Sequence, residues 1–315
     1  MISLSEIAKQ LKKEKNVAIF CHVRPDGDCI GSSFALSLAL TSLGVKNQLF
    51  CDDIIPEKFV NAKGKYSREL KEEYSCFVAV DCADIYRLGS FAETFTKHKN
   101  TFNIDHHVSN TRYAKVNFVL DTASNCENIY NLLIAGEMEI SKEIANYLLT
   151  GIVTDTGNFK HKNVTPNTLL TASKLLEKGA DLNKIVYEMF VKQPKRRATL
   201  FSSVMNKIRF MLENKLAIAT ITLKDIENNG AKPEDTEGFI DFLMTIEGVE
   251  VGITIMEMKK NLYKISLRSK GVNVNEIAGV YGGGGHVLAS GCQINGEYED
   301  VVDKLRYTVS QYIPE

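Results

Sequence analysis

The sequence predicts an α/β chain in two parts: a parallel-sheet domain with helices on both faces and, after a helical linker, a smaller α+β domain. Three observations carry this. Short strands that are apolar almost throughout alternate with helical patterns over about the first 180 residues, as in a parallel sheet covered on both sides. Near residue 190 the chain becomes basic and helical. Beyond that point strands alternate apolar and polar with period two, the pattern of a half-exposed sheet. A length of 315 residues suffices for two cores. The expected boundaries are 1–188 for the first domain, 189–212 for the linker and connecting helix, and 213–315 for the second domain.

The elements follow in order. MISLSEIAKQLKKEK reads as an amphipathic helix through Ile2, Leu4, Ile7 and Leu11, without the basic start and small-residue cleavage site of a signal peptide. NVAIFCH (16–22) is a strand and CIGSSFALSLALTSLG (29–44) a helix ended by Gly44. KNQLFC (46–51), CFVAV (76–80) and TFNI (101–104) are further strands, with a short helix expected around SRELKEEY (67–74). Helices follow over 124–136, 141–154 and 165–179, the first opening on Ser124-x-x-Glu127, a capping-box spacing. In the second part, strands are expected over 216–223, 249–259 and 262–270, and helices over 236–246, 273–281 and 299–312.

Hydrophobic content of 44% and charged content of 24% are those of a soluble globular protein. No apolar run approaches the ~20 residues of a membrane span. Seven cysteines without a CxxC pair fit reduced thiols, and with the helical start they lead us to expect a cytoplasmic protein. Cys21 and Cys82, strand neighbours of His22 and Asp81, are expected to point the other way and pack in the core. A net charge of −1 does not advertise a nucleic-acid binder. Two bound divalent cations would add positive charge that this count omits. The basic residues Lys192, Lys195, Arg196, Arg197, Lys207 and Arg209 form either a solvated helix face or a substrate-facing stripe.

Acidic residues and histidines recur where strands or helices hand over to loops. They are His22, Asp26 and Asp28 in HVRPDGD, Asp81 in VAVDCAD, Asp105, His106 and His107 in NIDHHVSN, and Asp155 in GIVTDTGNF. Singly, each acid has a structural explanation: Asp26-Gly27 is turn chemistry, Asp28 could cap a helix, and Asp155 could open a turn. Lone histidines such as His98 and His161 read as structural. Jointly the acids read differently, because ligands in parallel sheets gather beyond the carboxyl ends of the strands. His22, Asp81 and Asp105 each end a strand, so their segments are expected to converge. Converging carboxylates ~4 Å apart repel by a few kcal/mol per pair even at an effective dielectric of ~20. Two divalent cations would neutralise them. Oxygen ligands mixed with imidazole favour manganese or magnesium over zinc. Metals ~3.5–4 Å apart activate water and stabilise attacking and leaving oxygens at phosphorus. Asp81, arriving alone from a central strand, is the candidate bridge.

These motifs, in this order, resemble the DHH phosphoesterase superfamily. SLRSK (266–270) followed by GGGGHVLASG (282–291) is similar to the DHHA1 domain that accompanies one branch of it. The resemblance covers nearly the whole chain. It implies that His22, Asp26 and Asp81 hold one metal and that Asp28, Asp81, His106 and Asp155 hold the other. It implies that Asp105 orients a ligating imidazole and that His107 contacts the scissile phosphate. It places Arg268, Ser269 and the glycine loop Gly283, Gly284, Gly285 and His286 at the nucleotide end of the substrate. On their own residues, Arg268 is a surface charge on the polar face of its strand and the glycines are a hinge or a close-approach loop.

The branch resembled is the bifunctional nanoRNase and pAp phosphatase. Its implied activity is Mn²⁺-dependent, with Mg²⁺ as the other metal to consider. It degrades short RNA to 5′-mononucleotides and releases the 3′-phosphate of adenosine 3′,5′-bisphosphate (pAp). The alternative is a stand-alone phosphodiesterase of cyclic di-AMP or pApA, which the motifs do not separate from the first. A non-catalytic nucleotide sensor fits less well, since every ligand position is filled. The implied partners are short RNA or a small nucleotide and no membrane, with a homodimer compatible. The implied geometry is a ruler, in which the first domain cuts while the second holds one substrate end.

Overall fold

Six parallel strands organise the first of two compact units, Met1–Lys192, and a mixed sheet organises the second, Gln193–Glu315. The computed structural model describes residues 2–62 and 64–313. The first unit runs α1 (Leu4–Leu11), β1 (Asn16–Phe20), α2 (Gly27–Ser42), β2 (Lys46–Phe50), β3 (Tyr66–Ser67), β4 (Cys76–Val80), α3 (Ala92–Lys97), β5 (Thr101–Asp105), β6 (Val116–Val119), α4 (Asn125–Ala135), α5 (Lys142–Asp155), α6 (Pro166–Glu177) and α7 (Leu182–Val186). The sheet order is β3-β2-β1-β4-β5-β6, with every neighbouring pair parallel.

The chain leaves β1 for β2 and β3 on one side, then crosses back to lay β4, β5 and β6 on the other. The order therefore reverses between β1 and β4, and the crevice beyond their carboxyl ends is where such sheets bind ligands. Both faces of the sheet are buried, which explains strands apolar throughout. Val17, Ile19, Val78, Val80 and Ile104 pack against helices α1, α2, α4 and α5. The opposite face carries an aromatic cluster in which the Phe20 ring lies 4.9–5.6 Å from those of Phe50, Phe77, Phe91 and Phe95. Truncating a ring so enclosed costs about 3–5 kcal/mol.

The second unit runs α8 (Lys195–Met205), β7 (Arg209–Met211), β8 (Leu216–Ile221), α9 (Leu223–Asn228), α10 (Phe239–Thr245), β9 (Val251–Lys259), β10 (Leu262–Ser269), α11 (Val274–Val280), β11 (Gly284–His286), β12 (Ala289–Asn295) and α12 (Tyr298–Ser310). Its sheet order is β11-β12-β10-β9-β8-β7, antiparallel except for β8 with β9. Ile253, Ile255, Ile265 and Leu267 pack on the side of α11 and α12, as the period-two pattern requires.

Four expectations are corrected. No helix forms over 67–74. Tyr66 and Ser67 pair with Leu49 and Phe50 instead, and the Ser67 hydroxyl turns the chain by donating to the Glu69 carbonyl and accepting from its N–H. The glycine run is not an open loop, because Gly284–His286 is a strand of a tight hairpin with Ala289–Gly291. Ser124 caps α4 by accepting from Cys126 N–H, but Glu127 does not complete a capping box. It is buried and accepts from Asn167 and Thr168 instead. Helix α8, expected as a connector, packs Leu200 and Val204 into a core of the second unit with Ala217, Ala219 and Phe239.

All seven cysteines are buried and unpaired. His98 is structural: it stacks on Phe77 with centroids 4.0 Å apart, and both its ring nitrogens face carbonyls. Among the described residues, no helix is long and apolar enough to cross a membrane.

Candidate metal centre

Asp81 sits at the carboxyl end of β4 in the left-handed region, φ 52°. A non-glycine residue there is strained, and such strain collects at functional sites. The turn aims a buried carboxylate between two imidazoles. Its Oδ2 lies 3.6 Å from His22 Nε2 and its Oδ1 lies 3.3 Å from His106 Nε2. Asp26 reaches the same place from the start of α2. Its Oδ1 caps the helix by accepting from the Asp28 and Cys29 N–H groups, while Oδ2 stays 3.7 Å from His22 Nε2. On the other side, His106 Nε2 lies 3.7 Å from Asp28 Oδ2 and 3.5 Å from Asp155 Oδ2. The structure thus gathers the other five expected ligands around Asp81 in one crevice.

Carbonyls hold both imidazole rings in place. His106 Nδ1 lies 3.0 Å from the Thr122 carbonyl and His22 Nδ1 lies 2.8 Å from the Val23 carbonyl. Each Nε2 turns toward the carboxylates, where a cation would take the place of its proton. Asp105 is wholly buried at the end of β5. It orients His107, itself grouped with Asp81 and His106 among the possible metal donors: His107 Nδ1 donates to Oδ1 at 2.8 Å, and Asn110 Nδ2 donates to Oδ2 at 2.5 Å.

Electrostatics show what the cluster lacks. Burial first, then the Asp28 and Asp81 carboxylates, push Asp155 up to about 9. Burial and Asp81 push Asp28 up to about 6. Burial opposes charge on His106 too, but contact with Asp81 and the field of Asp28 outweigh it and raise the imidazole to about 10. Burial opposes charge on His22 as well, but contact with Asp81 and the field of Asp26 shift it upward. Burial also works against Asp81, yet the two imidazoles hold it down to about 2. Protons thus collect on Asp155 and His106 as stand-ins for missing positive charge. In addition, His22 Nε2 and Asp81 Oδ1 are buried without a hydrogen-bond partner. Separations of 3.3–3.7 Å are long for hydrogen bonds, but donor atoms ranged ~2.1 Å around a shared cation stand about this far apart. The residues fit divalent cations.

Helix packing brings the acids together. Asp28 and Asp155 lie on α2 and α5, which approach closely through glycines. A Cβ on Gly27 would meet Thr154 at 2.2 Å, and one on Gly151 would lie 2.3 Å from Cys126 Sγ and 2.7 Å from Asp28 Oδ1. The N-terminus of α4 closes the site from behind. Asp28 accepts from Ser124 Oγ (2.8 Å), Asn125 N–H (2.5 Å) and Cys126 N–H (2.9 Å). Sequence reasoning missed these groups. Ser124 was visible as a helix start, and a helix N-terminus favours a carboxylate, but nothing in the sequence said which one. Cys29 Sγ lies among the donor atoms with His22 and Asp81. It accepts the His22 backbone N–H at 3.4 Å, and burial pushes its thiol well up, so it serves as packing under the ring.

The remaining expected residues lie on the second unit. In the sheet register Arg268 pairs with Ala289, and Ala289 with His286. Paired residues share a face, so Arg268 and His286 flank a single methyl group across two strand spacings, ~10 Å. Both reach solvent. Gly283 admits no side chain, since a Cβ would lie 2.2 Å from the Gly291 carbonyl. Gly285, at φ 153°, would meet the Ala289 carbonyl at 2.6 Å, and its N–H donates to Asn275 Oδ1. Gly284 is exposed beside them. Ser269 is engaged locally: its hydroxyl donates to the Val272 carbonyl and its N–H to the Leu288 carbonyl.

Residues 16–152 match the DHH family, N-terminal domain, and residues 213–315 match the DHHA1 domain. The chain is 32% identical over 311 residues to the bifunctional oligoribonuclease and PAP phosphatase NrnA of Thermus thermophilus, covering 95% of this chain and 92% of that one. The chain belongs to the DHH family, with a DHHA1 second domain. It is a hydrolase of phosphoester bonds in a family whose members depend on divalent metal ions. A protein of the same name from Bacillus subtilis is 26% identical over 297 residues, covering 92% and 93% of the two chains. The crystal structure of an exopolyphosphatase-related protein from Bacteroides fragilis shares the fold, with a TM-score of 0.82, 23% identity and coverage of 98% and 96%.

Proposed function

We propose that this chain is a manganese-dependent phosphoesterase that hydrolyses short oligoribonucleotides to 5′-mononucleotides and removes the 3′-phosphate of pAp. The observation that carries this reading is the gathering of His22, Asp26, Asp28, Asp81, His106 and Asp155 around one crevice. It occurs in a chain 32% identical to a relative named for those two activities. His22, Asp26 and Asp81 would hold one cation, and Asp28, Asp81, His106 and Asp155 the other. When bound, the cations supply Lewis acidity at phosphorus and a more acidic attacking water.

The chain's own groups do the rest. Asp105 accepts from His107 Nδ1, which fixes the ring and turns Nε2 outward. Nε2 then donates to a phosphoryl oxygen or to the departing ribose 3′-oxygen. Water adds to phosphorus, the P–O3′ bond breaks, and the 3′-oxygen leaves as a hydroxyl. The same bond breaks in pAp and in short RNA, so one site serves both. On the second unit, Arg268 offers a planar fork to a phosphate, and the side-chain-free hairpin edge beside His286 admits a ribose or phosphate closely.

The test is a parallel hydrolysis assay with Mn²⁺ on pAp, RNA of two to five nucleotides, pApA and cyclic di-AMP. Turnover of pAp and the short RNAs, with cyclic di-AMP nearly untouched, is expected. Dominant cleavage of cyclic di-AMP or pApA would replace this reading with a second-messenger phosphodiesterase.

A further inference from the structure

Arg87 lies in a 3₁₀ helix, Ile85–Phe91, between β4 and α3, and its carbonyl accepts the Val23 N–H at 2.8 Å, tying that segment to the His22 loop. Its Nη2 stands 3.0 Å from His22 Nδ1. The same Nδ1 lies 2.8 Å from the Val23 carbonyl, and the ring tautomer sets which neighbour it serves. Bare, Nδ1 accepts from the guanidinium; carrying a hydrogen, it donates to the carbonyl. A ring that holds a cation through Nε2 keeps its hydrogen on Nδ1, and guanidinium offers donors alone, so a bound cation leaves Arg87 without that acceptor. Among the described residues Arg87 forms no ion pair with a carboxylate, and its side chain is only partly buried. With a metal ion at His22 Nε2, the guanidinium thus stands one imidazole ring away, held by its backbone and released from that acceptor.

We propose that Arg87 is a phosphate-binding residue of this centre, which turns from the His22 ring to grip a non-bridging oxygen of the substrate phosphate. A partly desolvated guanidinium without a carboxylate partner suits a dianionic phosphate, which its fork meets through two parallel hydrogen bonds. The phosphate would also replace the acceptor that a bound cation removes. The proposal rests on the phosphoester reading of the centre, but its test reads binding rather than turnover.

Inorganic phosphate is titrated calorimetrically into Mn²⁺-saturated wild-type protein, Arg87→Ala and Arg87→Lys. Separately, Mn²⁺ alone is titrated into each and the free ion followed by electron paramagnetic resonance. Arg87→Ala should weaken phosphate by about tenfold or more, with Arg87→Lys intermediate and Mn²⁺ affinity within about threefold of wild type. KM for pAp should rise with the phosphate Kd. An unchanged phosphate Kd overturns the proposal. So does a parallel loss of Mn²⁺ affinity, which would make Arg87 only a support for His22. Should Arg87→Ala fail to fold by circular dichroism, Arg87→Lys decides alone, and unchanged phosphate affinity in it overturns the proposal. Wild-type protein that binds phosphate through Arg87 yet hydrolyses no nucleotide would sink the substrate reading and leave this one standing.

Discussion

His107 illustrates how much a single residue's role depends on its neighbour. Its ring is fixed by one hydrogen bond, from Nδ1 to the buried carboxylate of Asp105. Asp105 is not itself turned to the carboxylate cluster, because Asn110 takes its other oxygen. Replacing Asp105 with Asn should therefore disturb proton transfer without disturbing the metals. We expect kcat to fall by about 10²-fold or more, in the range of positioned acid–base groups, with Mn²⁺ affinity within about threefold of wild type. A large loss of metal affinity would show that Asp105 supports the ligands instead. At this scale the sequence was informative about charged side chains and silent about backbone. The candidate ligands could be named because their chemistry is in the side chain. The Thr122 and Val23 carbonyls that hold the two rings could not, since every residue has a carbonyl and only the fold selects one. The second role of Asp28, accepting from the start of α4, was hidden for the same reason.

At the scale of elements, the glycine seam between α2 and α5 decides whether Asp28 and Asp155 meet. A glycine inside an exposed helix is normally improved by alanine, by about 1 kcal/mol. At Gly151 the sign should reverse, because the new Cβ would lie 2.3 Å from Cys126 Sγ and 2.7 Å from Asp28 Oδ1. Gly151→Ala should destabilise the chain by about 1–3 kcal/mol, as overpacked cores do, and weaken Mn²⁺ binding by displacing Asp28. Urea unfolding in the presence of chelator isolates the first effect, and stabilisation there would remove the seam from the account. Long periodic elements such as α2, α5 and α12 were legible because their burial pattern is continuous. The short ones were not. SRELKEEY has helix-forming residues but lies beside an edge strand that claims Tyr66 and Ser67. GGGGH carries no strand signal, and its pairing with Ala289–Gly291 exists because a side-chain-free edge lets the two backbones close.

At the scale of the molecule, the candidate ligands come from the ends of β1, β4 and β5 and from α2 and α5, so a cation bound there would tie together the sheet and two covering helices of the first unit. Binding energy at such a site becomes folding stability, about 2.7 kcal/mol for each ion at a hundredfold excess over its Kd. Without cations the same convergence is a liability, since burial and carboxylate repulsion act together on Asp155 and Asp28. These two effects have opposite signs, and one substitution separates them. Asp155→Asn keeps the shape and removes the cost of holding a buried acid in its protonated form, so in chelator it should raise the melting temperature above that of the wild type. On addition of Mn²⁺ the order should invert, because the wild type gains the full linkage stabilisation and the variant gains less. Differential scanning calorimetry with chelator and then with excess Mn²⁺ makes the comparison. If the variant melts below the wild type under both conditions, Asp155 stabilises the fold through its packing, and the idea that unbalanced charge is what the metals relieve fails.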